Sequence, residues 1–155
     1  MKCRFLRSHA AGFSLVEMLM VVVMIAIMSL FAFPKVIRAF DQSQVKGARL
    51  AVLNKFNAAR INARQSSRHV FLIRAGDVLW IEREPRVSNP GAGTRDTVGG
   101  FLNLFDYRVT TSGTLDTVPI DPRGLTQGGG TWQLNFTRGA ANDSLIISGF
   151  GTVTR

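Results

Sequence analysis

Apolar residues follow three patterns along the chain, and each pattern predicts a different kind of element. From Phe13 to Phe33 the only polar side chains are Ser14, Glu17 and Ser29, which predicts a helix that is apolar on every side. Its 21 residues would span about 31 Å, the thickness of one bilayer hydrocarbon core. We therefore predict that this segment crosses a membrane.

Beyond Pro34 the apolar residues recur every three or four positions, which is the period of a helix that buries one face. This apolar stripe consists of Val45, Ala48, Val52, Phe56, Ala59 and Ala63. Basic residues cluster on an adjacent face and form a basic stripe of Lys35, Arg38, Lys46, Arg49, Arg60, Arg64 and Arg68. We expect one helix, bent at Pro34 and ending near Ser67, whose apolar stripe covers a globular head.

After Ser67, short apolar runs alternate with turns rich in glycine and proline, a texture typical of antiparallel strands. Residues 69–74 and 78–83 flank a glycine-containing turn and predict a β-hairpin. Residues 84–100 predict a long exposed loop, and residues 101–111 predict a bent strand or a pair of strands.

The clearest alternation of the head is Trp132, Leu134 and Phe136, which predicts an amphipathic strand. Residues 138–143 predict the turn after it, and residues 144–148 predict the returning partner strand. The predicted fold class is therefore α+β. A long N-terminal helix, membrane-spanning in its first half, packs on a C-terminal antiparallel β-sheet head of about six to eight strands.

Composition narrows the classes of function. The chain has 155 residues, a formal net charge of +9, one cysteine and two histidines. A single Cys3 excludes an intramolecular disulfide, and His9 and His69 are too few for a multi-histidine metal site. Trp80 and Trp132 are most simply core residues, with a platform for a sugar or a base as the alternative. No set of residues suits catalysis, so we predict that the protein is not an enzyme and uses neither metal nor cofactor.

Glu17 is the one charged residue of the apolar run, and a charge inside a membrane helix costs about 2.5 to 3.5 kcal/mol on insertion scales. Phe13 stands four residues before it and is preceded by Gly12. Hydrolysis of the bond between Gly12 and Phe13 would create an α-amino group one helical turn from Glu17. That group would give the carboxylate a cationic partner in its own or a neighbouring subunit. A cleaved secretory signal peptide explains the run less well, because the run is too long and lacks a small-x-small cleavage site.

Residues 7–19, Arg-Ser-His-Ala-Ala-Gly-Phe-Ser-Leu-Val-Glu-Met-Leu, resemble the prepilin processing site of type IV pilins and type II secretion pseudopilins. The resemblance implies that a prepilin peptidase cleaves after Gly12 and that Phe13 becomes N-methylated. It also implies that Glu17 pairs with the amino terminus of an adjacent subunit during assembly, and that Pro34 is the proline that commonly bends the pilin helix. The implied segments are a leader at 1–12, a transmembrane and assembly half-helix at 13–34, a basic amphipathic half-helix at 35–67 and a globular β domain at 68–155.

The order of elements in the head resembles the GspH/FimT group of minor pilins and pseudopilins, with an early hairpin, a Pro-Arg-Gly turn at 122–124 and a terminal strand containing glycine. Major pilins usually close a C-terminal loop with a disulfide, whereas the mature chain would hold no cysteine, which favours a minor subunit. The resemblance implies a single-pass protein of the bacterial inner membrane, with a cytoplasmic leader and a periplasmic head, that later enters a periplasmic or surface filament. Its implied partners are other pilin or pseudopilin subunits, the prepilin peptidase and the inner-membrane assembly platform.

The basic stripe leaves three interpretations open: a solvated face that complements acidic neighbours, a nucleic-acid surface, or a contact with anionic lipid headgroups. The candidate contacts with DNA or a partner are Lys46, Arg49, Arg60, Arg64, Arg68 and Arg155. Some FimT-like minor pilins bind DNA through a C-terminal Gly-Arg-x-Arg, whereas residues 151–154 here are Gly-Thr-Val-Thr, with Arg155 one place later. The leading hypothesis is a structural subunit of a type IV pilus or type II secretion filament. The alternative is a DNA-binding minor pilin for DNA uptake in natural transformation.

Overall fold

The computed structural model describes residues 13–85 and 95–155. Within these residues one long helix precedes eight strands, and a short 3-10 helix at Leu104–Tyr107 separates the third strand from the fourth. The elements are α1 (Leu15–Ser66), β1 (Val70–Ala75), β2 (Val78–Arg83), β3 (Asp96–Asn103), β4 (Thr110–Gly113), β5 (Thr117–Ile120), β6 (Trp132–Arg138), β7 (Ala141–Ile147) and β8 (Val153–Thr154). The predicted α+β class is confirmed. The contacts within the chain define two units, one ending at Ile37 and the other spanning Arg38–Arg155.

The first unit contains the apolar start of α1. Ser14 caps the helix, because its hydroxyl oxygen accepts the backbone N–H of Val16 at 3.3 Å. The hydroxyl of Ser29 donates to the carbonyl of Ile25, one turn earlier, at 2.8 Å. Both serines are therefore bonded to the helix backbone, and an otherwise apolar helix tolerates them.

The second unit contains the rest of α1 and the strands. The six residues of the predicted apolar stripe, Val45 to Ala63, are the six buried residues of α1. The helix ends where Ser67 adopts a left-handed conformation with φ of 53°, and the N–H of Arg68 closes the last turn on the carbonyl of Ala63 at 3.3 Å. The helical period beyond Pro34 thus identifies both the buried face and the end of the helix.

The strands form two antiparallel sheets of four strands each. The first sheet has the order β3-β2-β1-β5, and the second has the order β4-β6-β7-β8. Alternate residues of the central strands face inward, among them Leu72 of β1 and Leu134 and Phe136 of β6. Together with the apolar stripe of α1, the inward residues of both sheets form one buried cluster within the described chain. The head is therefore held on the helix by apolar packing.

Residues 84–100 do not form a continuous loop, as the sequence led us to expect. Residues 96–100 belong to β3, which pairs with β2 through Ile81 and Val98. The two glycines that suggested a loop, Gly99 and Gly100, instead accommodate a shift in register opposite Trp80. Residues 86–94 of the predicted loop lie outside the described residues.

Residues 101–111 contain the end of β3 and the start of β4, which agrees with the predicted pair of strands, but a 3-10 helix that was not predicted lies between them. The side chain of Asn103 accepts the N–H of Phe105 at 3.1 Å and starts the 3-10 helix, and Arg108 ends it in a left-handed conformation with φ of 51°. The turn between β6 and β7 is shorter than predicted, since the strands pair from Arg138 and Ala141 onward.

We predicted that both tryptophans are core residues, but both lie nearer the surface. Trp80 is half-buried, because the inward positions of β2 are taken by Leu79 and Ile81. Its ring lies 6.0 Å from that of Phe101, and its Nε1–H donates to Glu82 Oε1 at 2.8 Å. Trp132 packs on the core cluster without being fully buried.

The strand β5 lies at one edge of the first sheet and contains a proline. On the side away from β1, the carbonyl of Pro119 accepts the N–H of Gln127 at 2.9 Å. The carbonyl of Leu125 accepts the N–H of Asp121 at 2.8 Å. The segment after β5 therefore folds back and covers this edge.

Candidate functional site

The start of α1 is exposed around its whole circumference. Every described residue from Phe13 to Ile37 is exposed, and Phe13 itself is 74% exposed. By length and composition α1 can cross a membrane: a stretch near its start has a mean hydropathy of 2.6 and no buried residue. A continuous apolar surface of this size requires lipid or the apolar helices of partners around it.

Glu17 lies in the first turn of this helix, and Pro34 lies inside the helix. The hydroxyls of Ser14 and Ser29 are bonded to the helix backbone, whereas the Glu17 carboxylate has no hydrogen-bond or ion-pair partner among the described residues. Phe13 immediately precedes the helix cap, and Gly12 lies outside the described residues with the rest of 1–12.

Asp143 is the centre of a charge cluster between β7 and α1. Only 3% of its side chain is exposed. Its Oδ1 accepts the Nε–H of Arg155 at 3.0 Å and the backbone N–H of Ser144 at 2.9 Å. Its Oδ2 accepts an Nη1–H of Arg49 at 3.4 Å. Burial alone would raise the pKa of Asp143, but the Ser144 N–H, Arg155 and Arg49 outweigh it and hold the pKa below its ordinary value.

Two cavities adjoin this cluster. A cavity of about 530 Å³ opens on the polar side chains of β4, β6 and β7, including Gln133 and Asn135, and reaches Arg155. A second cavity of about 200 Å³ brings Lys46 of α1 near Arg155. Of the predicted contact residues, Lys46, Arg49 and Arg155 are thus gathered around Asp143.

Arg60 and Arg64 form a second group, one helical turn apart, against the turn after β5. The Nε–H of Arg60 donates to the carbonyl of Gly124 at 2.8 Å, and the Nε–H of Arg64 donates to the carbonyl of Arg123 at 2.9 Å. The turn is fixed by Asp121, whose Oδ1 accepts the N–H of Arg123 at 2.9 Å. These two arginines therefore attach the helix to the head.

Other basic residues of the helix also contact the head. An Nη1–H of Arg68 donates to the carbonyl of Glu84 at 3.4 Å. The Nζ of Lys55, which is not part of the basic stripe, donates to the carbonyl of Gly100 in β3, and burial lowers the pKa of Lys55. At the start of the second unit, Asp41 pairs with Arg138 at 2.7 Å. The interpretation of the basic stripe as one solvated face is therefore too simple, because four of its arginines bond to the head.

Asp143 and the carbonyls of residues 123 and 124 are the contacts that sequence reasoning missed. A signal for Asp143 exists, because it shares the parity of Leu145 and Ile147 in β7 and so faces inward. Main-chain carbonyls give no such signal, since every residue carries one. Among the described residues, no group of three or more histidine, cysteine, aspartate or glutamate side chains could hold a metal ion.

Comparison with known proteins adds to this geometry. Residues 7–33 match the family model of the prokaryotic N-terminal methylation motif. The type IV minor pilin FimU of Pseudomonas aeruginosa, in one crystal form, superimposes with a TM-score of 0.52 at 14% identity over 72% of this chain and 87% of that chain. A second crystal form of FimU gives a TM-score of 0.46 at 15% identity over 73% of this chain and 90% of that chain. No curated protein matches by sequence.

The motif and the fold agree with each other. The matched motif covers the proposed cleavage site and the exposed apolar start of α1, and the structural match covers most of the chain. The chain is type IV pilin-like, with a prepilin N-methylation motif and the fold of a minor pilin. The motif and the exposed apolar start of α1 are consistent with a membrane anchor near the N-terminus.

Proposed function

We propose that the chain is a minor pilin or pseudopilin subunit of the GspH/FimT type, cleaved after Gly12 and N-methylated at Phe13. Before assembly it is stored in the bacterial inner membrane, with residues 1–12 on the cytoplasmic side and the head in the periplasm. One observation carries the proposal: the matched methylation motif, residues 7–33, includes the apolar start of α1, in which every described residue is exposed. Such a segment can be buried either in lipid or among the apolar helices of a filament.

Glu17 selects the position of the subunit in the filament. A carboxylate in an apolar surrounding is costly unless it is paired, and Glu17 has no partner among the described residues. The methylated amino group of Phe13 in an adjacent subunit supplies the opposite charge. Pairing in the filament removes the cost that an unpaired carboxylate has in the membrane, and so favours extraction into the filament.

The proposed segments divide the work of the chain. Residues 13–34 serve membrane anchoring and assembly, and Pro34 allows the helix to bend where this segment ends. Residues 35–67 carry the head, and residues 68–155 form it. Besides other subunits, the proposed partners are the prepilin peptidase, which acts on the leader, and the inner-membrane assembly platform, which extracts the subunit.

The test is Glu17→Ala in cells that assemble the filament, with Ser29→Ala as the matched control in the same helix. Mass spectrometry of the N-terminus should show cleavage and methylation at Phe13 in the wild type and in the control. The proposal expects Glu17→Ala to remain in the membrane fraction but to fall at least about tenfold in sheared filaments, as the loss of a buried charge pair implies. Ser29→Ala should assemble as the wild type does.

Two results would contradict the proposal. Normal incorporation of Glu17→Ala into filaments would show that assembly does not need the carboxylate. An uncleaved N-terminus in a cell with active prepilin peptidase would remove the proposed processing, whatever the helix does in the membrane.

A further inference from the structure

The arginine clamp consists of Arg60 and Arg64 together with the carbonyls of Arg123 and Gly124, to which their Nε atoms donate at 2.9 Å or less. A guanidinium has five N–H donors, and the Nε–H is the only one that each arginine uses in these bonds. The carbonyls thus fix the orientation of both side chains and leave the paired terminal nitrogens of both for other acceptors. Such a pair of forks matches carboxylate oxygens bidentately.

The turn is shaped for this arrangement. Gly124 has φ of 78°, and a Cβ at this position would lie 2.5 Å from Arg64 Nε. Glycine is therefore favoured by the backbone conformation, and it lets the Arg64 side chain approach this closely. The guanidinium of Arg60 also lies 5.7 Å from the centre of the buried Phe56 ring, which further restricts it. The two cations are held in place before any ligand arrives.

The charge of the clamp is not neutralised. Each ion pair between described side chains involves Arg49, Arg83, Arg95, Arg138 or Arg155 rather than a clamp arginine. Asp121 is the nearby carboxylate of the turn, and its Oδ1 accepts the backbone N–H groups of Arg123 and Leu125 at 2.9 and 2.7 Å. The exposed side chain of Arg123 adds a third cation beside the pair. An anionic partner is therefore favoured at this position.

The surroundings of the clamp identify the class of that partner. A cavity of about 350 Å³ is lined by Arg60, Arg64, Asn57 and Ile61. Ile61 is 53% exposed, and Leu125, next to the turn, is 44% exposed. Arginine is enriched at protein interfaces, whereas binding of single-stranded nucleic acid relies on aromatic stacking. No aromatic side chain is among the described residues that line this cavity.

We propose that the arginine clamp is a docking site for an acidic, partly apolar segment of a neighbouring filament subunit. Its carboxylates bind the terminal nitrogens of Arg60 and Arg64, and an adjacent aliphatic side chain packs on Ile61. The identification of the partner as a filament subunit rests on the proposed function. The acidic and partly apolar character of the docking segment rests on the geometry of the clamp alone.

The test uses the full-length chain in detergent micelles and a fluorescein-labelled synthetic peptide with two glutamates flanked by leucines. The same peptide with glutamines and a labelled DNA duplex serve as comparison probes in fluorescence anisotropy. Arg60→Lys with Arg64→Lys keeps the net charge but removes both Nε anchors and both forks. Binding of the glutamate peptide should weaken roughly ten- to hundredfold in this variant, the range for charge-assisted hydrogen bonds.

A second variant keeps both clamp arginines but blocks the access of a ligand to them. Ile61→Glu places a carboxylate beside the two arginines, while Leu50→Glu makes the same charge change at a position that is also 53% exposed. Ile61→Glu should weaken peptide binding by about tenfold or more, and Leu50→Glu by about twofold or less, as expected of a screened surface charge. Both positions are exposed, so both variants should unfold at the wild-type temperature by circular dichroism.

The outcomes separate the site from the proposed function. If the lysine variant binds the glutamate peptide as the wild type does, or if Leu50→Glu weakens binding as much as Ile61→Glu, the contact is diffuse charge and the docking site is refuted. If the duplex binds more tightly than the peptide and depends on the clamp, the occupant is a nucleic acid and the proposal is also wrong. None of these results bears on cleavage at Phe13 or on Glu17, whose assay in filaments stands by itself.

Discussion

The two parts of α1, residues 15–37 and residues 38–66, differ both in apolar content and in how the apolar residues are arranged. Apolar side chains occupy 19 of the 23 positions in the first part and 13 of the 29 positions in the second part. In the first part every described residue is exposed, whereas in the second part six residues on one stripe are buried against the sheets. A helix that is apolar all round has no preferred side to turn towards a single small head. The part with fewer apolar residues is the one that buries a face, so a stripe of helical period, rather than a large number of apolar residues, lets the chain cover part of the helix by itself.

The polar residues of the two parts also differ in whether they contact the head. In the first part both serines are bonded to the helix, and Glu17 has no partner among the described residues. In the second part Arg49, Arg60 and Arg64 are bonded to strands and turns of the head. The first part of the helix can therefore pass from one apolar surrounding to another, whereas the second part is suited to permanent attachment to the head.

The largest expected effect comes from truncating the same residue type in both parts. Phe56 is fully buried and Phe31 is 70% exposed. Phe56→Ala should lower the free energy of unfolding of the head by about 3 to 5 kcal/mol, because it leaves a cavity in the core. Phe31→Ala should change it by less than about 0.5 kcal/mol. Denaturant unfolding of the full chain in detergent, followed by tryptophan fluorescence, measures both changes in the free energy of unfolding. Equal changes would contradict the difference between the two parts of the helix.

An intermediate effect is expected at the charge cluster that joins α1 to β7. Asp143→Asn removes the carboxylate that Arg49 and Arg155 share, so the free energy of unfolding should fall by about 1 to 3 kcal/mol. Asp96→Asn is a suitable control, because its ion pair with Arg83 is at the surface, with 59% of the Asp96 side chain exposed.

The same cluster predicts a dependence on pH. The pKa of Asp143 is lowered in the folded chain. Its contribution to the free energy of unfolding is therefore complete above the ordinary carboxyl pKa of about 4, and it is lost as the pH falls through that value and below. The difference in unfolding temperature between wild type and Asp143→Asn should therefore shrink from neutral pH towards acid. A difference that stays constant with pH would show that packing, not charge, is responsible.

The smallest expected effect concerns Lys55, which contacts β3. Because burial lowers its pKa in the folded chain, the unfolded chain binds more protons below the ordinary lysine value of about 10.5. Stability should therefore rise slightly as the pH increases towards that value. Lys55→Met should remove this part of the rise, and thermal unfolding of both proteins between neutral and alkaline pH checks the prediction. A slope that Lys55→Met leaves unchanged would assign the rise to other groups.

The helix was predictable from the sequence because its determinants are local. The spacing of Val45, Val52 and Phe56 already indicates the buried face, and the structure buries these residues. The strand β3 and the 3-10 helix at 104–107 were not predictable, because glycines and a side-chain cap decide them against a weak local pattern. The methylation motif was recognisable for the same reason as the helix: all its residues lie within one short segment.

The contacts of the head with the helix were much harder to predict. Arg49 and Asp143 are 94 positions apart, and Arg64 and its carbonyl partner are 59 positions apart. Helical spacing correctly places the basic residues beside the apolar stripe, but it does not show which of them reach a carbonyl on a distant turn. Only the three-dimensional pairing of the sheets brings those acceptors to the helix.

The proline in β5 limits the ways in which subunits can join. An open sheet edge invites growth from one molecule to the next by strand addition, the route that leads to amyloid-like fibres. At Pro119 the outward position has no N–H to donate, and its carbonyl is already bonded to Gln127. Continuous intermolecular sheets are therefore blocked at this edge, and ordered polymerisation has to proceed through surfaces that do not depend on strand pairing there.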